Sequence, residues 1–369
     1  QCPPEGYRST RAVIHLVSQI PFMSDIHSFE DNLDFWCTSK EAWDIGAGDE
    51  EEHAVLLYNY LYYFSIMGEA DGASGARRID RGKGNDINAG AYPSDDVINS
   101  ESVFFIIGKA APEGDTCYVL LRDPNVKAMD PFSSKNFLII NPCSGMVYSA
   151  MDPSCPLREI YCICTPYNIW ANVQYTDKIY ESSFNLLDVD MWRPFFGARL
   201  NPPMGGLHSV QDDPEYTVTS SGYALEIENL ALKEIKNGIR KWRSKRYRST
   251  TTFHPDGCAA MEDLLPKLEK YKKGKGKLVG DEVEKLISES ERKMGTILKT
   301  RTFRGFPINL AFTDVEEVLT AVKSLCVHEN RHPEVQFVLA VKAFPMVNGI
   351  VSLWVFLGTL EANISGRGY

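Results

Sequence analysis

The chain has 369 residues, 44% of them hydrophobic and 11% aromatic, enough apolar side chain for a sizeable core and too much for a disordered polymer. Its 39 basic and 49 acidic residues give a formal net charge of −10, which argues against nucleic acid as a partner and confines any basic interaction to a local patch. Nine cysteines without a C-x-x-C pair read as reduced core thiols, and the longest apolar run, residues 350–360, is too short to span a membrane, so the expectation is a soluble intracellular piece of a longer protein.

In chain order, RAVIHLVSQIPFMSD (residues 11–25) is expected to form a short strand or a lead-in, ended by Pro21. GDEEEHAVLLYNYL (residues 48–61) then sets four acids before an apolar run. Asp49 is the expected N-cap and Glu52 the reaching-back carboxylate of a capping box, and the acids suit the positive end of the helix dipole. Residues 55–64 leave no polar face, so this helix should be central. Residues 69–102, rich in Gly, Asp, Asn and Ser, are expected to be a surface insertion.

Residues 103–108, 117–121 and 137–140 are short, apolar and bounded by turn residues, as neighbouring buried strands are. Residues 188–196 and 201–206 suggest a looser region. Helices are expected over 222–248 and 282–299. Thr313 and Glu316 read as a second capping box opening VEEVLTAVKSL, and a hairpin joins residues 335–344 to 350–360 through Asn348-Gly349, the strongest short hairpin signal. The fold class is α+β.

A glycine-led helix followed by two or three strands resembles the core of papain-like and transglutaminase-like folds, with a pattern G-x-C-x-x-[FH]-A at the nucleophile. Gly48-Asp49-Glu50-Glu51-Glu52-His53-Ala54 fits that frame with Glu50 in the nucleophile's slot. Thr116 and Asn141 occupy the frames of the histidine and the acid. More narrowly, GDEEEHAVLL, LIINPCSGMVY, NIW (Asn168-Ile169-Trp170) and FPINLAF, VQFVLAV and VSLWV near the end resemble the C-terminal transglutaminase-like region of the coiled-coil and C2 domain-containing protein 2A family, from about Arg11 to Ala362. That resemblance implies a scaffold of the ciliary transition zone or basal body, cytoplasmic and cytoskeleton-associated, with tectonic-type and B9-domain partners. It also implies a lead-in at 1–45, a degenerate transglutaminase-like core at 46–200, a partly basic helical extension at 201–300 and a closing helix plus hairpin at 301–369.

A papain-type site needs a thiol at a helix N-terminus beside an imidazole, which together lower its pKa. Glu50 is a poor nucleophile toward amides, Thr116 cannot shuttle a proton near neutral pH, and Asn141 has no histidine to orient. The expected outcome is a pseudo-enzyme whose three slots converge in one cleft, without cofactor or metal. The alternative is a cysteine hydrolase with displaced residues, for which His53 and Cys117 are the candidate dyad; against it stands a buried, hydrogen-bonded His53. Cys143, Cys155, Cys162 and Cys164 lack a chelating pair and are expected as core thiols rather than zinc ligands. The basic run 233–248, with Arg240, Lys241, Arg243, Lys245 and Arg246, is a candidate contact for an anionic membrane surface or an acidic protein tail, or else a solvated helix face.

Overall fold

The computed structural model describes residues 1–24, 35–67, 102–123, 129–176, 178–197, 199–203, 209–247, 250–273, 292, 294–332 and 334–363. The chain divides into two compact units, Gln1–Glu215 and Tyr216–Tyr369. The expected extension 201–300 and closing segment 301–369 therefore fall, from Tyr216 onward, in one unit. The expected insertion 69–102 lies outside the described residues apart from its last position, as does most of the helix expected at 282–299, of which one turn, Gly295–Leu298, is described.

The first unit opens with helix α1 (Thr10–Val17), where a strand or lead-in was expected. Ser9 caps it by accepting from the Ala12 N–H, and its residues Ala12–Val17 are buried. The local cap together with burial on most sides overrides the β-preference of its Val and Ile residues. Helix α2 (Ser39–Ile45) follows, then the central helix α3 (Glu50–Met67). A seven-stranded antiparallel sheet completes the unit in the order β4-β3-β2-β1-β5-β6-β7: β1 (Val103–Ala110), β2 (Gly114–Arg122), β3 (Phe137–Asn141), β4 (Met146–Ser149), β5 (Leu157–Cys164), β6 (Ile169–Asn172) and β7 (Trp192–Pro194). β7 lies inside the stretch expected to be loose.

Helix α3 packs on one face of β1 and β2, with the Tyr58 ring edge-on to Phe105. The opposite face carries Phe104, Ile106, Tyr118, Leu120, Phe137 and Ile139 and is closed by Phe184, Leu186 and Trp192. With both faces covered, the central strands are apolar throughout rather than alternating.

The second unit is a three-stranded antiparallel sheet, β8 (Arg301–Ala311), β10 (Val351–Ala362) and β9 (Gln336–Pro345), in that order. Only the β9–β10 hairpin was anticipated; β8 was missed. Helices α4 (Ser221–Tyr247) and α7 (Val315–Ser324) cover one face, and α5 (Pro255–Glu262) and α6 (Leu265–Lys273) the other. α7 is capped by Asp314, which accepts from the Glu317 N–H at 2.9 Å, one residue later than the expected Thr313 cap; the Thr313 hydroxyl instead donates to Glu317. The hairpin turn holds Asn348 at φ 54° and Gly349 at φ 77°, the left-handed pair that a two-residue loop requires.

Candidate functional site

The start of α3 is built as the sequence suggests. Asp49 Oδ1 accepts from the Glu51 N–H at 3.1 Å, and Glu52 Oε2 accepts from the Asp49 N–H at 3.1 Å. Glu52 reaches further, its Oε1 accepting from the Cys37 N–H at 2.8 Å. Gly48 is required beneath it, since a Cβ there would lie 2.7 Å from the Glu52 Cβ. Burial, then the hydrogen bond with Asp49, pushes the Glu52 carboxyl up to about 7, and burial likewise raises Glu50. Donor oxygens of Asp49, Glu50 and Glu51 lie within 4.8 Å of one another, the single group of potential metal-ligating side chains among the described residues.

His53 is spent on structure. Its Nδ1 meets the Asp49 carbonyl at 2.6 Å and its Nε2 the Ile20 carbonyl at 3.1 Å, so the ring ties α3 to the segment after α1. Burial lowers its pKa against those two carbonyls, which favour protonation. Neither nitrogen is left for a thiol, and among the described residues no imidazole hydrogen-bonds Cys117. This removes the His53–Cys117 dyad.

The strand residues divide by face. Along β2, Thr116, Tyr118 and Leu120 alternate with Cys117, Val119 and Leu121; Tyr118 and Leu120 belong to the core on the side away from α3. Thr116 therefore turns away from α3, and Cys117 is the β2 residue presented to it. Asn141 also sits on the far side: its Nδ2 donates to the Tyr118 hydroxyl at 2.8 Å, while its Oδ1 accepts from the Ser144 N–H at 3.0 Å and shapes the β3–β4 turn. The expected convergence of Glu50, Thr116 and Asn141 in one cleft is not found. In a strand a one-residue step reverses the face, so Thr116 lies on the side of β2 opposite to Cys117. Because both faces are apolar, no alternation in TCYVLL could have revealed it.

What does face the acidic helix end is a pair of thiols. Burial first, then the carboxylates Glu51, Asp49 and Glu50 with the Cys162 thiol, pushes Cys117 far above an ordinary thiol, and Cys143 is raised by burial followed by Glu50, Asp49 and Glu51. A helix N-terminus ordinarily favours thiolate; here burial first, with the carboxylates adding to it, keeps both sulfurs protonated. The four cysteines weighed as zinc ligands are likewise divided, Cys155 lying in the core away from α3 and Cys162 and Cys164 pairing with β1 residues on the α3 side.

Of the basic candidates on α4, Arg240, Lys241 and Lys245 are exposed, but Arg243 is 2% exposed. Its guanidinium donates to the carbonyls of His328 at 3.0 Å and Asn330 at 2.6 Å and to Thr251 Oγ1 at 3.2 Å, and lies 4.8 Å from the Phe337 ring centroid. Arg243 is a structural residue of the second unit, not a surface contact. The Arg246 side chain lies outside the described residues.

The first unit thus defines a class: an α+β module with a helix packed on an antiparallel sheet, its helix start carrying three carboxylates. A family model described as the CEP76 peptidase-like domain matches residues 99–195, the sheet of this unit, and one described as the centrosomal protein of 76 kDa C-terminal domain matches residues 221–361, nearly the whole second unit. The chain is related to the coiled-coil and C2 domain-containing protein 2 family: it is similar to protein CC2D2B of Homo sapiens, 25% identical over 349 residues, and to the coiled-coil and C2 domain-containing protein 2A of Drosophila melanogaster, 26% identical over 256 residues. These alignments cover 94% and 69% of this chain but 20% and 17% of the relatives, so the chain spans about a fifth of their length.

Proposed function

We propose that the chain is a non-catalytic scaffold module of a ciliary transition-zone complex, a degenerate member of the transglutaminase-like and papain-like folds that acts by binding. The observation that carries the reading is the geometry at the start of α3, where His53 is committed to the carbonyls of Asp49 and Ile20 and carboxylates stand where a nucleophile would sit, with the buried thiols nearby kept protonated first by burial. The coiled-coil and C2 domain-containing relatives support the ciliary assignment, with a cytoplasmic, cytoskeleton-associated position at the cilium base and tectonic-type and B9-domain proteins as the partners to test. Among the described residues no helix is long and apolar enough to cross a membrane.

The test is a thiol-directed activity probe and a panel of peptide and isopeptide substrates, run beside Cys117→Ala. No turnover above that variant is expected. Turnover that depends on Cys117 would replace this reading with a cysteine hydrolase. Pull-down of transition-zone proteins by the chain, unaffected by Cys117→Ala, is the positive arm.

A further inference from the structure

The strands at the margins of the two sheets are not treated alike. In the first unit the outer strands are short, four residues in β4 and three in β7. In the second, β8 and β9 lie outermost on either side of β10. The outer side of β9 is closed: the N–H groups of Phe337, Leu339 and Ala343 donate to the Thr252 carbonyl at 2.9 Å, the Cys258 sulfur at 3.3 Å and Glu228 Oε2 at 3.1 Å. Such bonds remove the row of unpaired backbone groups that an edge strand otherwise offers to another chain.

Strand β8, 11 residues long, lacks this cover. The Phe312 N–H donates to the Val351 carbonyl at 3.1 Å and the Asn363 N–H to the Thr300 carbonyl at 2.9 Å, which makes the even-numbered residues of β8 the ones bonded to β10. The odd-numbered residues turn their N–H and C=O groups outward, and among the described residues nothing hydrogen-bonds the backbone of Arg301, Phe303 or Gly305 on that side. Pro307 belongs to the outward set as well, so its missing N–H leaves the β10 ladder intact and ends the open stretch. Thr302, Arg304 and Phe306 are exposed and share one face of this stretch, Phe306 being 44% exposed. β8 carries two arginines and no acid. Arg304 has no ion pair among the described residues, and Glu361, across from Thr302 on β10, accepts instead from the Asn330 side-chain amide at 2.6 Å.

We propose that residues 301–306 form a docking edge for an extended segment of a partner protein, which adds as an antiparallel strand with an apolar residue opposite Phe306 and a carboxylate two residues later, opposite Arg304. The outward backbone groups of Arg301, Phe303 and Gly305 hold the segment, and the cross-strand pairs with Phe306 and Arg304 select it. Charge decides between this occupant and a second copy of the chain. The second unit has 24 basic and 18 acidic residues, a net of +6, so two copies repel where an acidic segment is drawn in. A second copy centred on Gly305 would also set Pro307 against Phe303, costing the new ladder a bond at each end. The inference gives the scaffold reading a docking surface in the second unit but does not rest on it.

The probe is an acetylated fluorescent peptide with the core Phe-Val-Asp-Val-Thr-Val, aligned to run from opposite Phe306 to opposite Arg301. Its binding to the whole chain is followed by anisotropy and by hydrogen exchange. Saturable binding is expected, with slowed exchange of the Arg301, Phe303 and Gly305 amides. Methylating the peptide's valine nitrogens, which face β8, should abolish binding, whereas methylating the nitrogens of its Phe, Asp and Thr should leave it. Lys in place of the peptide's Asp should weaken binding several-fold, and Arg304→Glu should reverse that preference without moving the melting temperature. The proposal is overturned by an absence of saturable binding, by indifference to which nitrogens are methylated, or by binding that survives Arg304→Glu but is lost in a Lys241→Ser, Lys245→Ser double variant of α4. Sedimentation of the chain alone as a dimer with its β8 amides protected would also overturn it, making a second copy the occupant. None of these outcomes involves Cys117 or peptide turnover, which test the scaffold reading separately.

Discussion

Glu52 performs two tasks with one carboxylate, closing the cap of α3 and holding the Cys37 N–H, and both sit where water is scarce. Its pKa is raised from 4.5 to about 7, so the folded state holds a proton that the unfolded chain releases near 4.5. The stability it lends is fully present below about 4.5 and is lost as pH rises through about 7. His53 acts in the opposite sense: its pKa is lowered from 6.5, so its contribution is present above 6.5 and lost as pH falls. Glu52→Gln, which imitates the neutral acid, should therefore lower the melting temperature more at pH ~5 than at pH ~7.5; an equal loss at both would show that Glu52 is charged in the fold. Arg243 allows a sharper contrast at the same scale. Arg243→Ser leaves two carbonyls without their donor and should destabilise the second unit by about 2–4 kcal/mol in urea titration, whereas Lys241→Ser and Lys245→Ser should stay within about 0.5 kcal/mol. From sequence alone Arg243 looked like its neighbours, because nothing in the run KEIKNGIRKWRSKRYR marks which arginine turns inward.

At the scale of elements, what was legible in the sequence was what local chemistry dictates. The α3 cap follows from side chains three residues apart, and the β9–β10 hairpin from Asn348-Gly349, whose positive φ values few other residues accept. Strands β1 to β3 showed as apolar runs between turn residues. Strands β4, β6 and β7 are three or four residues each, too short to carry a periodic pattern, so no local pattern announces them even though β4 follows β3 and β6 follows β5 directly along the chain. The facing of β2 was hidden for a related reason, its two sides being equally apolar. In the same way β8 was missed: its partner β10 is distant in sequence, and the strand carries Gly305 and Pro307. Gly305 lies directly across from Gly358, and a Cβ on Gly358 would sit 2.7 Å from the Arg304 carbonyl oxygen, so this glycine pair sets how closely β8 and β10 approach. Gly358→Val should cost more than ~3 kcal/mol through displaced backbone, while Gly349→Ala, strained only in the turn, should cost about 1 kcal/mol. Urea midpoints for the two variants would rank them, and the reverse order would mean that turn geometry rather than strand approach limits the second unit.

For the whole molecule, the net charge of −10 conceals a division. Residues 1–215 contain 15 basic and 31 acidic side chains, a net of −16, whereas residues 216–369 contain 24 basic and 18 acidic, a net of +6. The acidic total that argued against basic interactions describes the first unit only. The second unit presents Lys233, Arg240, Lys241 and Lys245 outward along α4, and Lys270 on α6. We propose that such a surface meets an anionic membrane or an acidic tail through its exposed charges, which salt screens beyond ~10 Å at 0.1 M. Binding of the chain to vesicles containing an anionic lipid, or to an acidic peptide, should therefore weaken steadily as salt is raised. The decisive variant replaces Arg240, Lys241, Lys245 and Arg246 by Ser and keeps Arg243, because removing Arg243 would disturb the fold and confound the reading. That variant should melt where the parent does and lose most of the salt-sensitive binding. Unchanged co-sedimentation and unchanged peptide binding in the variant would reduce the α4 run to a solvated helix face and leave partner recognition to other surfaces.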